Sequence, residues 1–302
     1  MAIPEHNFPG LLIGIDIGGT FTDFVVYASK DQTLQRFKIL STPSNPAEAV
    51  LQGFNHHPHQ ASRHIVHGST VATNAILERK GARTALITTK GFRDVLLIGR
   101  QDRPELYDLF PSIPAPLVLR EWCFEITERM DYEGNVVTPL QENELDTIIE
   151  TLKRENIHSV AVSFLFSFVN PAHEQWVTKQ LRAEGFFVTA SSEILPEFRE
   201  YERTSTTVVN AYVSPVLDRY LASLEREITP KAFHLLQSNG GRLSVSQARG
   251  HGVRSILSGP AGGVVGARYL AGLAGFNRIL TFDMGGTSTD VSLVHEDIHV
   301  TT

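Results

Sequence analysis

The stretch IDIGGTFTD at residues 15–23 decides the fold of this chain, because a near-copy, FDMGGTSTD, follows at residues 282–290. The eight positions that begin at Asp16 match the eight that begin at Asp283 at six places: two aspartates, two glycines and two threonines. Each copy lies between two apolar segments and so predicts a strand–turn–strand unit. One copy alone is compatible with an ordinary turn. Two copies in the same setting favour a shared binding role.

The two hairpins contain the residue types of a phosphate clamp. Paired glycines permit φ > 0 and carry no side chain, so successive backbone N–H groups can point at one anion. Thr20 and Thr287 add hydroxyl donors. An aspartate at the end of the first strand, Asp16 or Asp283, cannot attract phosphate by its charge, so it must hold a hydrated Mg²⁺ or act as a base. The pair of hairpins therefore predicts a polyphosphate held from opposite sides.

The rest of the chain alternates between apolar strand patterns and helical patterns, which indicates an α/β sheet. No predicted strand precedes Gly-x-Gly-x-x-Gly or Gly-x-x-x-x-Gly-Lys, which excludes a Rossmann or P-loop site. Residues 124–137 predict a hairpin around positions 133–135. Residues 196–228 predict a long helix that is broken near Ser214 and Pro215.

The composition limits the classes of function. Of the 302 residues, 42% are hydrophobic and 20% charged, an ordinary globular balance. The net charge of −6 provides no basic footprint for nucleic acid. The single cysteine, Cys123, cannot by itself form an intrachain disulfide, a thiolate zinc site or an iron–sulfur cluster. We expect Cys123 to be a semi-buried residue without a chemical role, and the protein to be cytoplasmic. The sequence contains no targeting segment and no apolar run of about 20 residues, so no membrane partner is expected.

The paired aspartate–glycine hairpins are similar to the two phosphate motifs of actin, sugar kinases, acetate kinase and the heat-shock chaperone ATPases. The stretch SGPAGGVVGA at residues 258–267 resembles the glycine-rich helix before their second hairpin. The resemblance implies an α/β, actin-like (ribonuclease H-like) ATPase first lobe over residues 10–275, with an inserted αβ subdomain at about 91–235. Residues 276–302 would open a truncated second lobe. Because the adenosine-binding element of that superfamily lies further on, we expect this chain alone to bind ATP weakly.

Several longer stretches narrow the resemblance to the A subunits of the hydantoinase/oxoprolinase family, which include N-methylhydantoinase A and 5-oxoprolinase. The resemblance extends from about Leu11 to Val294. Ser69 stands where the family more often has threonine, and the hydroxyl is kept. The matching stretches are HGSTVATNA (67–75), ERKGA (78–82), TKGFRDV (89–95), GRQ (99–101) and QSNGG (237–241).

Members of that family use ATP to activate a cyclic amide or imide, or a ketone for carboxylation. Phosphorylation of the carbonyl oxygen, through its enol or imidic form, creates a good leaving group. The resemblance thus implies an ATP-hydrolysing cyclic amidase for 5-oxoproline or hydantoin. The A part would bind ATP and Mg²⁺, and a hydantoinase B-type subunit or domain would complete ring opening.

The resemblance also assigns roles to three groups of residues. Asp16 and Asp283 share Mg²⁺ binding and base duties. The substrate side comprises His67, Thr70, Thr73, Asn74, Arg100 and Arg103. Three of these have an equally good structural explanation: Thr73 and Asn74 can simply be part of the first turn of a helix, and Arg100 can lie on a solvated surface. The phosphate-binding residues are Gly18, Gly19, Thr20, Thr22, Asp23, Gly285, Gly286, Thr287, Ser288 and Thr289.

Three other functions stay open at this point: a ketone carboxylase subunit, a small-molecule kinase, and a non-catalytic ATPase switch. The activators of acyl-CoA dehydratases need cluster cysteines, which Cys123 alone cannot supply. The chaperone ATPases lack the stretches at 67–75 and 99–101. The sequence does not decide between oxoproline, hydantoin and ketone substrates.

Overall fold

The computed structural model describes residues 10–42, 45–55, 63–102, 107, 115–284 and 289–296. The chain divides into two compact units: the first unit is Met1–Leu77 with Leu217–Thr302, and the second unit is Glu78–Val216. The bounds of an inserted region at about 91–235 stay a prediction. Among the described residues, no helix is both long and apolar enough to cross a membrane.

The described residues form fourteen strands and nine α-helices. The strands are β1 (Leu11–Ile17), β2 (Phe21–Ala28), β3 (Thr33–Leu40), β4 (Arg63–Gly68), β5 (Thr84–Thr89), β6 (Cys123–Ile126), β7 (Arg129–Met130), β8 (Val136–Thr138), β9 (Ser159–Ser163), β10 (Phe187–Ala190), β11 (Ala232–Leu236), β12 (Arg242–Ser244), β13 (Arg278–Met284) and β14 (Thr289–His295). The helices are α1 (Pro46–Phe54), α2 (Val71–Leu77), α3 (Val95–Ile98), α4 (Asn143–Arg154), α5 (Ala172–Ala183), α6 (Ser191–Ile194), α7 (Glu200–Ile228), α8 (Val245–Gly250) and α9 (Ser258–Leu273).

A six-stranded sheet in the order β12-β11-β4-β1-β2-β3 forms the centre of the first unit. Strands β1, β4 and β11 run parallel, whereas β2 and β3 follow β1 as antiparallel neighbours. Two antiparallel strands beside a parallel set are the arrangement expected of an actin-like, ribonuclease H-like lobe. The predicted α/β fold class is confirmed.

Helix α1 covers one face of this sheet through close packing against β2. The ring of Phe24 stacks on Phe37 with ring centroids 4.8 Å apart. A Cβ atom at Gly53 would lie 2.1 Å from Cζ of Phe24, so only glycine lets the helix approach the ring so closely. Ala49 and Val50 of the same helix are fully buried. This packing holds β2, and with it the first hairpin, in a fixed position.

The second unit contains a separate four-stranded parallel sheet in the order β10-β9-β5-β6. Every residue of β5 and β9 is buried, as expected for a parallel sheet that is covered on both faces. Leu145 and Leu152 of α4, and Val177 and Leu181 of α5, pack into this core. The second unit therefore has a hydrophobic core of its own.

The predicted break in the long helix near Pro215 is wrong, because α7 runs without interruption from Glu200 to Ile228. Proline removes one helical N–H donor and displaces the carbonyl four residues earlier. Here that carbonyl, of Ala211, accepts a hydrogen bond from Oγ of Ser159 at 2.6 Å. The next carbonyl, of Tyr212, accepts from the backbone N–H of Ala82 at 2.8 Å. Both acceptors are satisfied from outside the helix, so the helix continues.

The predicted hairpin at 124–137 is wrong in its first half. Strand β6 pairs in parallel with β5 instead, because Cys123 and Ile126 are buried in the core of the second unit. Within this stretch the hairpin consists of β7 and β8, around a turn at Gly134 with φ of 85°. Burial raises the pKa of the Cys123 thiol to about 11, which agrees with an unreactive bystander.

Candidate active site

Three of the sequence motifs meet at one edge of the six-stranded sheet. In the register of the parallel strands, Leu235 of β11 pairs with His67 of β4, and His67 pairs with Ile15 of β1. The residues that follow these three positions therefore emerge side by side at the carboxyl ends of the strands. Ligands of α/β proteins bind at this end of parallel strands. The candidate active site lies here, within the first unit.

The carboxylate of Asp16 occupies a slot between two glycines at this edge. A Cβ atom at Gly68 would lie 2.9 Å from Oδ1 of Asp16, and one at Gly259 would lie 3.1 Å from it. Burial of this carboxylate, followed by the charges of Asp23 and Asp283, raises the pKa of Asp16 to about 6. Asp16 as a whole residue remains exposed, so solvent reaches the slot. A carboxylate in this setting favours a nearby cation or takes up a proton.

The first hairpin closes tightly without positive φ at either of its paired glycines. The N–H of Gly18 donates to the carbonyl of Phe21 at 2.9 Å. Neither Gly18 nor Gly19 has positive φ, so this hairpin does not use the conformational freedom that glycine permits. A Cβ atom at Gly18 would lie 3.1 Å from the Phe21 carbonyl oxygen, whereas one at Gly19 would meet nothing within 4 Å. Gly18 permits the close turn, and Gly19 leaves open space in front of it.

Thr22, expected at the phosphate, is fully buried behind the turn. Its hydroxyl lies 3.0 Å from Oγ of Ser41, which donates to the carbonyl of Gly18 at 2.8 Å. The alternation of β2 already gives a signal for this placement, because Thr22 shares the face of the buried Phe24 and Val26. Thr22 and Ser41 thus support the turn from within.

Asp23 and Thr20 lie on the outer side of the same hairpin. The carboxylate of Asp23 forms an ion pair with Lys38 of β3 at 3.2 Å, and both side chains are more than half exposed. Thr20 is exposed, and its carbonyl accepts from the N–H of Ser41 at 2.9 Å. Its hydroxyl remains a candidate donor to phosphate. Lys38 is a cation that the sequence motifs did not single out.

The second hairpin repeats the pairing of the first. Asp283 pairs with Asp290 as Asp16 pairs with Asp23, and Met284 pairs with Thr289 as Ile17 pairs with Thr22. Asp283 is near enough to Asp16 for its charge to raise the pKa of that carboxyl. Gly285, Gly286, Thr287 and Ser288 lie outside the described residues.

The acidic residues fit Mg²⁺ better than a metal held by protein ligands alone. No group of three or more His, Cys, Asp or Glu side chains with metal-binding geometry occurs in the described ranges. Mg²⁺ commonly binds through one or two carboxylates, and waters and substrate phosphates complete its coordination. Asp16, with a raised pKa and two acidic neighbours, suits this mode.

His67, expected on the substrate side, is instead completely buried beneath the site. Its Nε2 lies 2.6 Å from the hydroxyl of Tyr220 on α7, and its Nδ1 lies 3.4 Å from the carbonyl of Ile15. Burial lowers the pKa of His67 to about 4, so the ring is neutral and Nε2 accepts from Tyr220. His67 therefore supports β1 next to Asp16. Sequence reasoning missed Tyr220, which lies 153 positions further along the chain.

The residues of α2 connect this edge to the start of α9. Oγ1 of Thr73 accepts from the N–H of Leu257 at 3.0 Å, and Leu257 has the left-handed φ of 59° just before the helix. Asn74 donates from its side chain to Oγ1 of Thr70 at 3.4 Å. Ser69 and Ser258 join β4 to α9 through hydrogen bonds of 3.3 Å. Thr70, Thr73 and Asn74 are half-buried at this junction.

Arg100 belongs to the second unit. Its Nε donates to Glu202 at 2.8 Å, and its side chain is largely exposed. It lies on a groove of about 600 Å³ with a mainly apolar lining that includes Ile98, Leu117 and Val208. Arg103 lies outside the described residues. A role for either arginine on the substrate side stays a prediction.

Comparison with known proteins gives a consistent result. The family described as the hydantoinase/oxoprolinase N-terminal region matches residues 12–185, and the one described as hydantoinase/oxoprolinase matches residues 203–302. Caprolactamase subunit alpha of Pseudomonas jessenii is 36% identical, over 93% of this chain and 43% of its own length. 5-Oxoprolinase 1 of Arabidopsis thaliana is 36% identical, over 92% of this chain and 25% of its own length.

The fold also matches that of a solved enzyme. The nucleotide-free structure of acetone carboxylase, from work on ATP-dependent acetone carboxylation, has a TM-score of 0.84 and 28% sequence identity. The match covers 95% of this chain and 44% of that chain. The chain spans less than half the length of each of these three proteins.

Proposed function

We infer the function from the family to which this chain belongs, the hydantoinase/oxoprolinase family. We propose that the chain is the ATP-binding part of an enzyme that phosphorylates a cyclic amide or imide for ring opening. Caprolactamase and 5-oxoprolinase are named for cyclic amides. The caprolactamase relative is called subunit alpha, which supports a B-type partner subunit here as well. A cytoplasmic location stays a prediction from the single cysteine.

The observation that carries this proposal is the glycine-lined slot around Asp16. It lies at the shared end of three parallel strands, and both hairpins have an aspartate at the same register position. The carboxylate fills the slot itself, but Gly19 in the adjoining turn leaves open space beside it, where phosphate oxygens would have access to backbone donors. Asp16 and Asp283 would hold Mg²⁺, which when bound neutralises charge on the transferring phosphoryl group.

The chain's own residues would act mainly by position and charge. The turn would present the backbone N–H groups of Gly19 and Thr20 to the terminal phosphates, because the N–H of Gly18 already donates to Phe21. The substrate oxygen, in its imidic or enol form, would then attack the γ-phosphorus, and the bond from that phosphorus to the bridging oxygen of ADP would break. Asp16 or Asp283 would accept the proton that the imidic or enol hydroxyl releases. Positioning supplies most of the rate in such transfers.

A test of nucleotide binding uses Gly19→Ala. A methyl group there meets no atom within 4 Å, so the fold is expected to be kept while the space for phosphate is filled. We expect MgATP affinity, measured by calorimetry, to fall about tenfold. The matched control is Gly272→Ala in α9, where an added Cβ also meets nothing and MgATP affinity should not change. Equal affinity in wild type and Gly19→Ala would contradict the phosphate site.

A test of the reaction follows ATP hydrolysis with and without a cyclic amide, in the presence of a B-type partner. Stimulation by caprolactam, 5-oxoproline or hydantoin is expected, and Asp283→Asn should reduce it at least a hundredfold. Asp146→Asn, on the exposed face of α4, is the control. Hydrolysis that is indifferent to every cyclic amide would contradict the proposed substrate class.

A ketone substrate is the second candidate, favoured by the similarity to acetone carboxylase. Acetone or acetophenone would then stimulate ATP hydrolysis in place of a lactam, and bicarbonate would be consumed. The two candidates share the phosphoryl-transfer step, so the same variants apply to both.

A further inference from the structure

Lys38 of β3 is a cation beside the proposed phosphate site, and the proposed function assigns it no role. Across the sheet, Asp16 of β1 pairs with Asp23 of β2, and Asp23 pairs with Lys38. Residues that pair directly across neighbouring strands lie on the same face of a sheet. The three side chains therefore form a row, in which Asp23 stands between the carboxylate of Asp16 and the ammonium group of Lys38.

The ammonium group of Lys38 leans towards the turn of the first hairpin. Its Nζ lies 3.2 Å from Oδ1 of Asp23 and 5.2 Å from the centre of the Phe21 ring. Phe21 lies two residues nearer the turn than Asp23, on the same face of β2, and its carbonyl accepts the hydrogen bond that closes the turn. Contacts with both residues place Nζ at the rim of the turn.

The space in front of this row and the turn is open to solvent. Helix α9 does not fill it, because α9 begins on the other side of Asp16. There the Cα atom of Gly259 lies 3.7 Å from the Cβ position of Gly68, the residue of β4 that is level with Asp16. The side chains of Lys38 and Asp23 are 59% and 51% exposed. The exposed residues that border the space are Asp16, Gly19, Thr20, Asp23 and Lys38.

The site needs a cation that the two hairpin motifs do not supply, since they contain aspartates but no lysine or arginine. After burial, the charges of Asp23 and Asp283 raise the pKa of Asp16, so the three carboxylates lie near one another. A bound Mg²⁺ carries fewer positive charges than these carboxylates and a triphosphate carry negative ones. An ammonium group has three N–H donors, so Lys38 can bind a phosphate oxygen and keep its contact with Asp23.

We propose that the ammonium group of Lys38 binds the γ-phosphate of ATP and that Asp23 positions it there. This inference rests on the proposed function, because it requires the terminal phosphates to lie at the turn. It explains why an aspartate, which repels phosphate, stands beside the phosphate site. The carboxylate of Asp23 restrains a flexible lysine side chain in advance, which lowers the entropy that binding must remove.

The test measures the affinities for MgATP and MgADP by calorimetry, because the two nucleotides differ by the γ-phosphate. Lys38→Met removes the charge and keeps an unbranched side chain. We expect it to weaken MgATP binding about tenfold and MgADP binding less than twofold, as for the loss of one charge-assisted contact. Lys38→Arg keeps the charge and should bind MgATP within about threefold of wild type. Equal losses for both nucleotides in Lys38→Met would overturn the assignment to the γ-phosphate.

Arg36→Met is the matched control. Arg36 is an exposed cation on the same face of the same strand, two residues further from the turn, and it pairs with Val25 instead of an acidic residue. We expect this variant to keep the wild-type affinities for both nucleotides. A loss of MgATP affinity equal to that of Lys38→Met would mean that the general charge of β3 attracts ATP, and the inference would be overturned. Melting temperatures verify that every variant is folded.

A double-mutant cycle tests the role of Asp23. In the Lys38→Met protein, Asp23→Asn removes an anion beside the phosphate and should strengthen MgATP binding. When Lys38 is present, the same change also releases the ammonium group from its position, so the gain should be lost or reversed. An equal gain in both backgrounds would show that Asp23 does not position Lys38.

The outcomes separate this inference from the proposed function. If wild type binds MgATP, Gly19→Ala weakens that binding and Lys38→Met does not, the inference is overturned while the proposed phosphate site stands. If wild type does not bind MgATP, both are overturned. A loss of about tenfold for MgATP alone in Lys38→Met, with Arg36→Met unchanged, supports both.

Discussion

Asp16 combines a functional position with an unfavourable electrostatic setting. Its pKa is raised to about 6, above the ordinary value of about 3.9 for aspartate, by burial and then by Asp23 and Asp283. Between these two pH values the folded protein keeps a proton that the unfolded chain releases. The free energy of unfolding therefore falls as pH rises from about 4 to 6 and stays lower above pH 6.

Asp16→Asn is expected to stabilise the protein in the absence of Mg²⁺ and nucleotide, because asparagine cannot ionise. The gain in melting temperature should be clear at pH 8 and small at pH 4.5. Because solvent reaches the exposed part of Asp16, it limits the size of this gain in melting temperature. Thermal unfolding at both pH values measures it, with Asp146→Asn as the control. An equal gain at both pH values would show that ionisation of Asp16 is not the cause.

The hydrogen bond from Tyr220 to His67 makes a second prediction at a single residue. Burial depresses the pKa of His67 to about 4, below its ordinary 6.5. The stability that depends on the neutral ring is therefore fully present above pH 6.5 and lost as pH falls through 4. Tyr220→Phe removes the donor and should lower the free energy of unfolding by about 1–2 kcal/mol at pH 7.

The loss from Tyr220→Phe should shrink towards pH 4, where a protonated His67 no longer accepts the bond. Urea unfolding at the two pH values measures this dependence. Tyr212→Phe on the same helix is the matched control, because its hydroxyl has no hydrogen-bond partner among the described residues. A loss that does not vary with pH would refute the assigned direction of the hydrogen bond.

At the scale of elements, the continuity of α7 through Pro215 depends on Ser159. Its buried hydroxyl is the partner of the Ala211 carbonyl that proline leaves without a helical donor. Ser159→Ala should cost about 1–3 kcal/mol, the usual penalty for a buried acceptor that loses its partner. In a Pro215→Ala background a backbone N–H returns at position 215, so Ser159→Ala should cost less. Urea unfolding of the four proteins in this cycle gives the coupling. Additive losses would contradict this account of the helix.

The same elements show what a sequence can predict. Strands β1, β2, β13 and β14 were predictable because alternation and the glycine pair are local patterns. The continuity of α7 was not, because Ser159 and Ala82 supply its missing donors from distant positions. Tyr220 was missed for the same reason, since only the fold brings it to His67. In the candidate site, the positions of Asp16 and the hairpin turn followed from the motif, whereas the burial of Thr22 and His67 came from tertiary packing.

At the scale of the whole molecule, the proposed phosphate and metal site belongs to the first unit. That unit contains every described residue assigned to the site, from Asp16 to Asp23 and at Asp283 and Thr289. The second unit has its own sheet and its own core around residues such as Val160 and Leu181. A ligand stabilises the cooperative region to which it binds, by an amount set by its concentration relative to Kd. MgATP should therefore act on the first unit first.

Hydrogen exchange followed by mass spectrometry measures this distribution directly. At MgATP ten times above its Kd, the slowest amides of β1, β4 and β11 should exchange about tenfold more slowly, since binding must be undone before these strands open. The amides of β5 and β9 should change by less than twofold. Gly19→Ala at the same MgATP concentration should remove most of the protection in β1 and leave β9 as it was. Equal protection of both units in wild type would mean that they open as one cooperative region, and the division of stability between the two cores would then be wrong.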